Sequence, residues 1–79
     1  MQKIRQKDGF VAYKIKHYPI RGWYWIVEVY DNRGDNEKLV TKFEAMPGNE
    51  EEMSQRAKRI VRELARKAKE EEMKILMKK

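Results

Sequence analysis

Few side chains in this sequence are suited to covalent or acid–base chemistry: one histidine (His17), one serine (Ser54), one threonine (Thr41) and no cysteine. Catalysis of either kind needs a nucleophile or base held against an orienting partner in a cleft. His17 and Tyr18 come nearest to such a pair, but neighbouring residues of a strand point to opposite faces. The inventory argues against an enzyme. Metal chemistry fares no better, because a lone histidine without thiolates cannot build a four-ligand zinc site. Asp31, Asp35 and Glu37 loosely resemble a calcium loop, yet Arg33 stands at a ligand position and Gly34 comes two residues early. Neither a metal nor another cofactor is expected. Arg33-Gly34-Asp35 spells the tripeptide read by integrin adhesion receptors, but the chain lacks a secretory signal and disulfides, and turn chemistry accounts for these residues.

Charge is the stronger signal. Nineteen Lys and Arg against thirteen Asp and Glu leave +6, and the excess is blocked along the chain. Residues 1–34 carry seven basic and three acidic groups (+4), residues 35–52 two and six (−4), and residues 53–79 ten and four (+6). A basic excess of this size suits a polyanionic partner, nucleic acid first. No apolar run approaches the roughly 18 residues of a membrane span, and Met-Gln-Lys-Ile-Arg-Gln-Lys at the start lacks the apolar region of a signal peptide. The chain reads as cytoplasmic, with no membrane partner.

The element that must position these groups is Trp23-Tyr24-Trp25-Ile26-Val27-Glu28-Val29-Tyr30, the most β-prone and aromatic run. Alternation puts Trp23, Trp25, Val27 and Val29 on one face, wholly apolar and core-directed. Tyr24, Ile26, Glu28 and Tyr30 fall on the other, which tolerates water. Before it, Phe10 to Tyr18 alternates Val11, Tyr13 and Ile15 inward against Ala12, Lys14 and Lys16 outward. Pro19 and Gly22 bracket the reversal between these two strands. After it, the loop Asp31 to Glu37 leads to a third strand, Lys38 to Phe43, with Leu39 and Phe43 inward and Val40 and Lys42 outward.

Met46-Pro47-Gly48 ends the strand pattern, and Asn49 with Glu52 resembles a capping box, Glu50 and Glu51 also suiting a helix start. Met53, Ala57, Ile60, Val61, Leu64 and Ala68 form one helical stripe that covers the sheet. The expected fold is α+β, a three-stranded antiparallel meander packed on one long C-terminal helix, in one domain. Residues 1–9 are a mobile basic arm, residues 10–44 the sheet, and residues 49–79 the helix, whose last ten residues overhang or fray.

Two basic surfaces follow from this arrangement. Gln55, Arg59, Arg62, Arg66 and Lys69 lie opposite the apolar stripe, with Lys58 beside them, and form a cationic ridge. Arg59–Glu63, Glu63–Lys67 and Glu70–Lys74 pairs make a solvated face the simpler account of that ridge. The open sheet face combines Lys14, Lys16, Tyr24, Ile26, Tyr30 and Lys42, with Arg21 and Arg33 in the loops. Cations there suit phosphates, and flat tyrosines suit sugars, bases or a thymine methyl. This face is the expected nucleic-acid site.

At Gly22-Trp23-Tyr24-Trp25, followed by Val27, Val29, Tyr30, an Asp–Gly loop, a third strand ending at Phe43 and a helix, residues 10–68 resemble the arm-type DNA-binding domain of phage and transposon tyrosine-recombinase integrases. That domain is similar in fold to the plant AP2 domain. The resemblance implies a sheet whose open face enters the DNA major groove, with Lys14, Lys16, Tyr24, Ile26, Glu28, Val40 and Lys42 as the reading face. Two stretches depart from the family pattern: Asp35, Asn36 and Glu37 stand where the family is usually basic, and Met46-Pro47-Gly48-Asn49 lacks its Thr-x-x-x-Ala. Nothing of the recombinase catalytic domain is present. The double-stranded-RNA-binding fold shares the β-β-β-α portion, but its first helix has no counterpart here. The leading expectation is therefore a small non-enzymatic domain that binds double-stranded DNA, with RNA as a variant. The alternative is a protein-binding module or a small phage- or plasmid-type inhibitor, using the same face or self-associating through Ile75, Leu76 and Met77 of the C-terminal helix.

Overall fold

Asp8 and Gly9 both adopt positive φ, 51° and 90°, as a two-residue turn requires if its twist is to match that of right-twisted strands. In the computed structural model, which describes residues 1–77, this turn joins β1 (Gln2–Lys7) to β2 (Phe10–His17), with Lys7 opposite Phe10. Of residues 1–9, expected as a mobile arm, residues 2–9 are thus a strand and its turn. Two things hold them: the backbone ladder to β2, and Ile4, which packs against the core. β3 (Tyr24–Asp31), β4 (Lys38–Ala45) and α1 (Glu50–Met77) complete the chain. The sheet is antiparallel in the order β1-β2-β3-β4. The α+β meander on a C-terminal helix is therefore present, with four strands in place of three. The expected run of helix to Lys79 extends, in its last two residues, outside the described residues.

At the start of α1 the Met53 N–H donates to the Asn49 carbonyl at 2.9 Å, so Asn49 is the residue from which the helix springs. Glu50, Glu51 and Glu52 fill its first turn and face the positive end of the helix dipole. Met53, Ala57, Val61 and Ala65 are buried along one stripe, flanked by the half-buried Ile60, Leu64 and Ala68. The two alanines, with Ala12 on the sheet below them, let helix and sheet backbones approach closely. From Lys69 onward every described helix residue is exposed, Glu70, Glu71 and Glu72 and the apolar Met73, Ile75, Leu76 and Met77 alike.

The sheet side of the core is Phe10, Ala12, Trp25, Val27 and Val29. Trp25, Val27 and Val29 face inward as their alternation predicts, but β2 is turned over. Opposed residues of an antiparallel pair share a face, and Ala12 lies opposite Val29, Lys14 opposite Val27 and Lys16 opposite Trp25. Phe10, Ala12, Lys14 and Lys16 therefore face the helix side, while Val11, Tyr13 and Ile15 face the open side. β2 has apolar residues on both faces, so its own pattern does not choose between them. The loop over residues 18–23 chooses, by pairing His17 with Tyr24.

β4 carries a second correction. Val29 lies opposite Thr41 but Tyr30 opposite Leu39, so Val40 is an extra residue, a bulge that reverses the faces on its N-terminal side. Leu39, expected inward, joins Tyr30 on the open face and is 50% exposed. Phe43, past the bulge, faces inward opposite Val27.

Candidate nucleic-acid interface

The sequence-predicted site residues divide among three environments. Tyr24, Ile26, Tyr30 and Lys42 share the open sheet face, with Glu28 between them. Tyr13 and His17 join from β2, their rings 6.0 Å from Tyr30 and 5.1 Å from Tyr24. Partial burial, and then the Glu28 carboxylate beside it, raise the Tyr30 phenol above its ordinary pKa. The charges on this face balance: Lys3 and Lys42 against Glu28 and Glu44.

Lys14 and Lys16 are not on that face. Their ammonium groups cap the tryptophans at the helix side, Lys14 Nζ at 5.0 Å from the Trp25 ring and Lys16 Nζ at 4.9 Å from Trp23. Lys14 also pairs with Glu50 in the first turn of α1. Both stems cover aromatic surface while their heads reach water. Val40, which the integrase resemblance assigns to the reading face, is the bulge residue. The resemblance's reading face is thus divided between the two sides of the sheet.

Arg33 is a clamp. Its Nε and Nη2 donate to the two Asp31 carboxylate oxygens at 2.9 and 2.8 Å, and its backbone N–H donates to Oδ1 at 3.0 Å. Its guanidinium lies 4.6 Å from the Phe10 ring centre. The side-chain bonds from Arg33, followed by its backbone N–H, hold the Asp31 carboxyl down at about 2. Asn32 N–H donates to the Gly9 carbonyl at 2.7 Å, so this loop is tied to the β1–β2 turn. Arg21, in the loop before β3, is exposed.

A different cationic group comes together on the helix side. Arg5 lies opposite Ala12, which directs it toward α1, and with Gln55, Lys58, Arg59 and Arg62 it lines a shallow groove between β1 and the helix. The spacing of the helix members at three and four residues puts them on one flank. The ion pairs that sequence spacing suggested for the ridge form differently. Arg66 takes both Glu63 at 2.8 Å and Glu70 at 2.6 Å, lowering the Glu63 carboxyl and raising its own guanidinium. Lys69 lies 3.7 Å from Asp8. Among the described residues no carboxylate comes within 4.0 Å of Arg5, Lys58, Arg59 or Arg62. Arg66 and Glu63 offset each other's charge, and among the described residues four cations on two elements remain unpaired around this groove.

Arg5 escapes the sequence reading because residues 1–9 look too polar to be held. The signal that locates it is Asp8-Gly9 between Gln6-Lys7 and Phe10-Val11, a two-residue hairpin turn that obliges the preceding residues to pair.

Among the described residues no group of three or more His, Asp or Glu is placed to hold a metal ion, and no helix is long and apolar enough to cross a membrane. Compared with protein-family models, curated proteins and solved structures, the chain has no significant match.

Proposed function

We propose that this chain is a nucleic-acid-binding domain that takes double-stranded DNA along the groove between β1 and α1, with Arg5, Lys58, Arg59 and Arg62 on the phosphates. The observation that carries the reading is the absence, among the described residues, of any carboxylate within 4.0 Å of these four cations. Three of the four are arginines, whose planar fork matches a phosphate with two parallel hydrogen bonds. Self-repulsion among clustered cations is relieved by a polyanion, and the counterions released on binding supply the affinity. Gln55 in the same groove adds a neutral donor and acceptor.

The signature is salt dependence. Four phosphate contacts give a slope of log affinity against log salt of about −3.6, at roughly −0.9 per contact. The test is fluorescence anisotropy with mixed-sequence duplex DNA over a salt series. Arg59→Glu with Arg62→Glu should bind far more weakly and flatten the slope to about −1.8. Lys67→Glu with Lys74→Glu makes the same change in net charge at other exposed helix positions and should retain more of the affinity. Absence of binding by the unaltered protein at about 50 mM salt removes the reading; an equal loss in both double variants reduces it to nonspecific charge.

A second reading rests on the open sheet face. Its aromatic and aliphatic members, Tyr13, Tyr24, Tyr30, Ile15, Ile26 and Leu39, stand among balanced charges, which suits a protein surface better than a phosphate backbone. Tyr24→Ala with Ile26→Ala discriminates: it leaves DNA binding intact under the first reading and abolishes partner binding under the second.

A further inference from the structure

The two edges of the sheet differ in whether they can pair with themselves. β1, at one edge, is interrupted by an irregularity between Lys3 and Arg5 and carries Lys3, Arg5 and Lys7 along its length. Two copies of it would oppose like charges, a common protection of an exposed edge. β4, at the other edge, carries charges of both signs past its bulge, Lys42 and Glu44, so a second copy need not oppose like charges. β4 is the last strand of the sheet, so among the described residues its backbone donors and acceptors on the outer side meet no other strand. Apolar side chains crowd the same edge, with Leu39 at 50%, Val40 at 43% and Met46 at 65% exposure.

We infer that β4 pairs antiparallel with β4 of a second copy of this chain, about a two-fold axis at Phe43, making one continuous eight-stranded sheet. The occupant is identified by complementarity. With the axis at Phe43, residue 42 lies opposite residue 44 of the other copy. Lys42 and Glu44 both point to the open face, where their register partners are Glu28 and Ile26. The two-fold therefore makes two Lys–Glu cross-strand pairs, which is the stabilising combination. The same register sets Thr41 of each copy against Ala45 of the other. Phe43, half-buried beneath the Arg56 guanidinium at 4.3 Å, meets its own symmetry mate on the helix side. Displacing the axis by one residue in either direction loses both charge pairs. An isologous contact of this kind closes at two copies, because each chain has one edge that can pair with itself.

The inference is independent of the DNA reading, and its test reads mass. Sedimentation velocity of the full chain over a concentration series should show a 9.6 kDa monomer passing to a dimer. Lys42→Glu alone, and Glu44→Lys alone, each place like charges opposite one another twice and should weaken the dimer about tenfold or more. Lys42→Glu combined with Glu44→Lys restores both pairs with their signs exchanged and should restore the dimer, a result that folding defects do not produce. Because the chain has no cysteine, Phe43→Cys under oxidising conditions should yield a disulfide-linked dimer readily, and Thr41→Cys slowly. An unaltered protein that stays monomeric, a dimer indifferent to Lys42→Glu, or a double variant that fails to recover would each overturn the pairing.

Discussion

Replacing Gly9 by alanine tests whether the β1–β2 turn is locked to the β3–β4 loop, the contact that makes residues 1–9 part of the fold. Gly9 has φ of 90°, and a Cβ built there lies 2.5 Å from Arg33 Cγ. That atom is not the free end of a mobile side chain, because Arg33 is bonded to Asp31 beyond it and stacked over Phe10. The backbone conformation alone costs a residue with a Cβ about 1–3 kcal/mol, and the overlap adds a coupling of about 0.5–3 kcal/mol. A chain of this size has about 4–12 kcal/mol of stability to lose. The comparison is Gly48→Ala, where φ is 94° and nothing lies within 4 Å, so only the backbone part is lost. In an Arg33→Ala background the nearest remaining atom of residue 33 is its Cβ, at 3.6 Å, and Gly9→Ala should become about as mild as Gly48→Ala. Chemical denaturation followed by the fluorescence of Trp23 and Trp25 measures all four energies of the cycle. Equal losses at Gly9 and Gly48, or a Gly9 loss that is the same with and without the Arg33 side chain, would refute the lock.

Two further outcomes follow from the same geometry. Trp25 is 6% exposed and stacks edge-on against Trp23 at 5.4 Å, so Trp25→Ala should cost about 3–5 kcal/mol and lower the melting temperature by about 4–8 °C for each of these; a melt unchanged within experimental error would show that β3 has the opposite face inward. The Asp31 carboxyl, held at about 2 by Arg33 against an ordinary 3.8, contributes stability that is fully present above the ordinary value and is lost as pH falls through about 2. NMR titration of that carboxyl should return toward the ordinary value in Arg33→Ala, and an unmoved midpoint would mean that the clamp does not form in solution.

How much of this was legible in the residues depends on how one-sided each pattern is. β3 is unambiguous, because Trp23, Trp25, Val27 and Val29 are apolar while the alternate set holds Glu28, and only one face of such a strand can be buried. The helix stripe is equally clear up to Ala68, and Asn49 with three following glutamates marks its start. Asp8-Gly9 contained β1 as well, since a turn that demands two positive φ values commits the chain on both sides of it to pairing. These are local properties, set by residues close together along the chain.

Three decisions were not local. β2 has apolar residues on both faces, and a one-residue change of register exchanges them; the loop joining it to β3 assigned Lys14 and Lys16 to the helix side. The bulge at Val40 moved Leu39 outward, through a mismatch with β3 that has no trace in β4 alone. Finally, a helix face of alternating charge leaves open which cations stay unpaired, because each carboxylate has several partners in reach. The tertiary structure settled this by giving Arg66 both Glu63 and Glu70 and bringing Arg5 across from β1. Charge neutralisation is a contest among neighbours in space, and only the folded chain decides who those neighbours are.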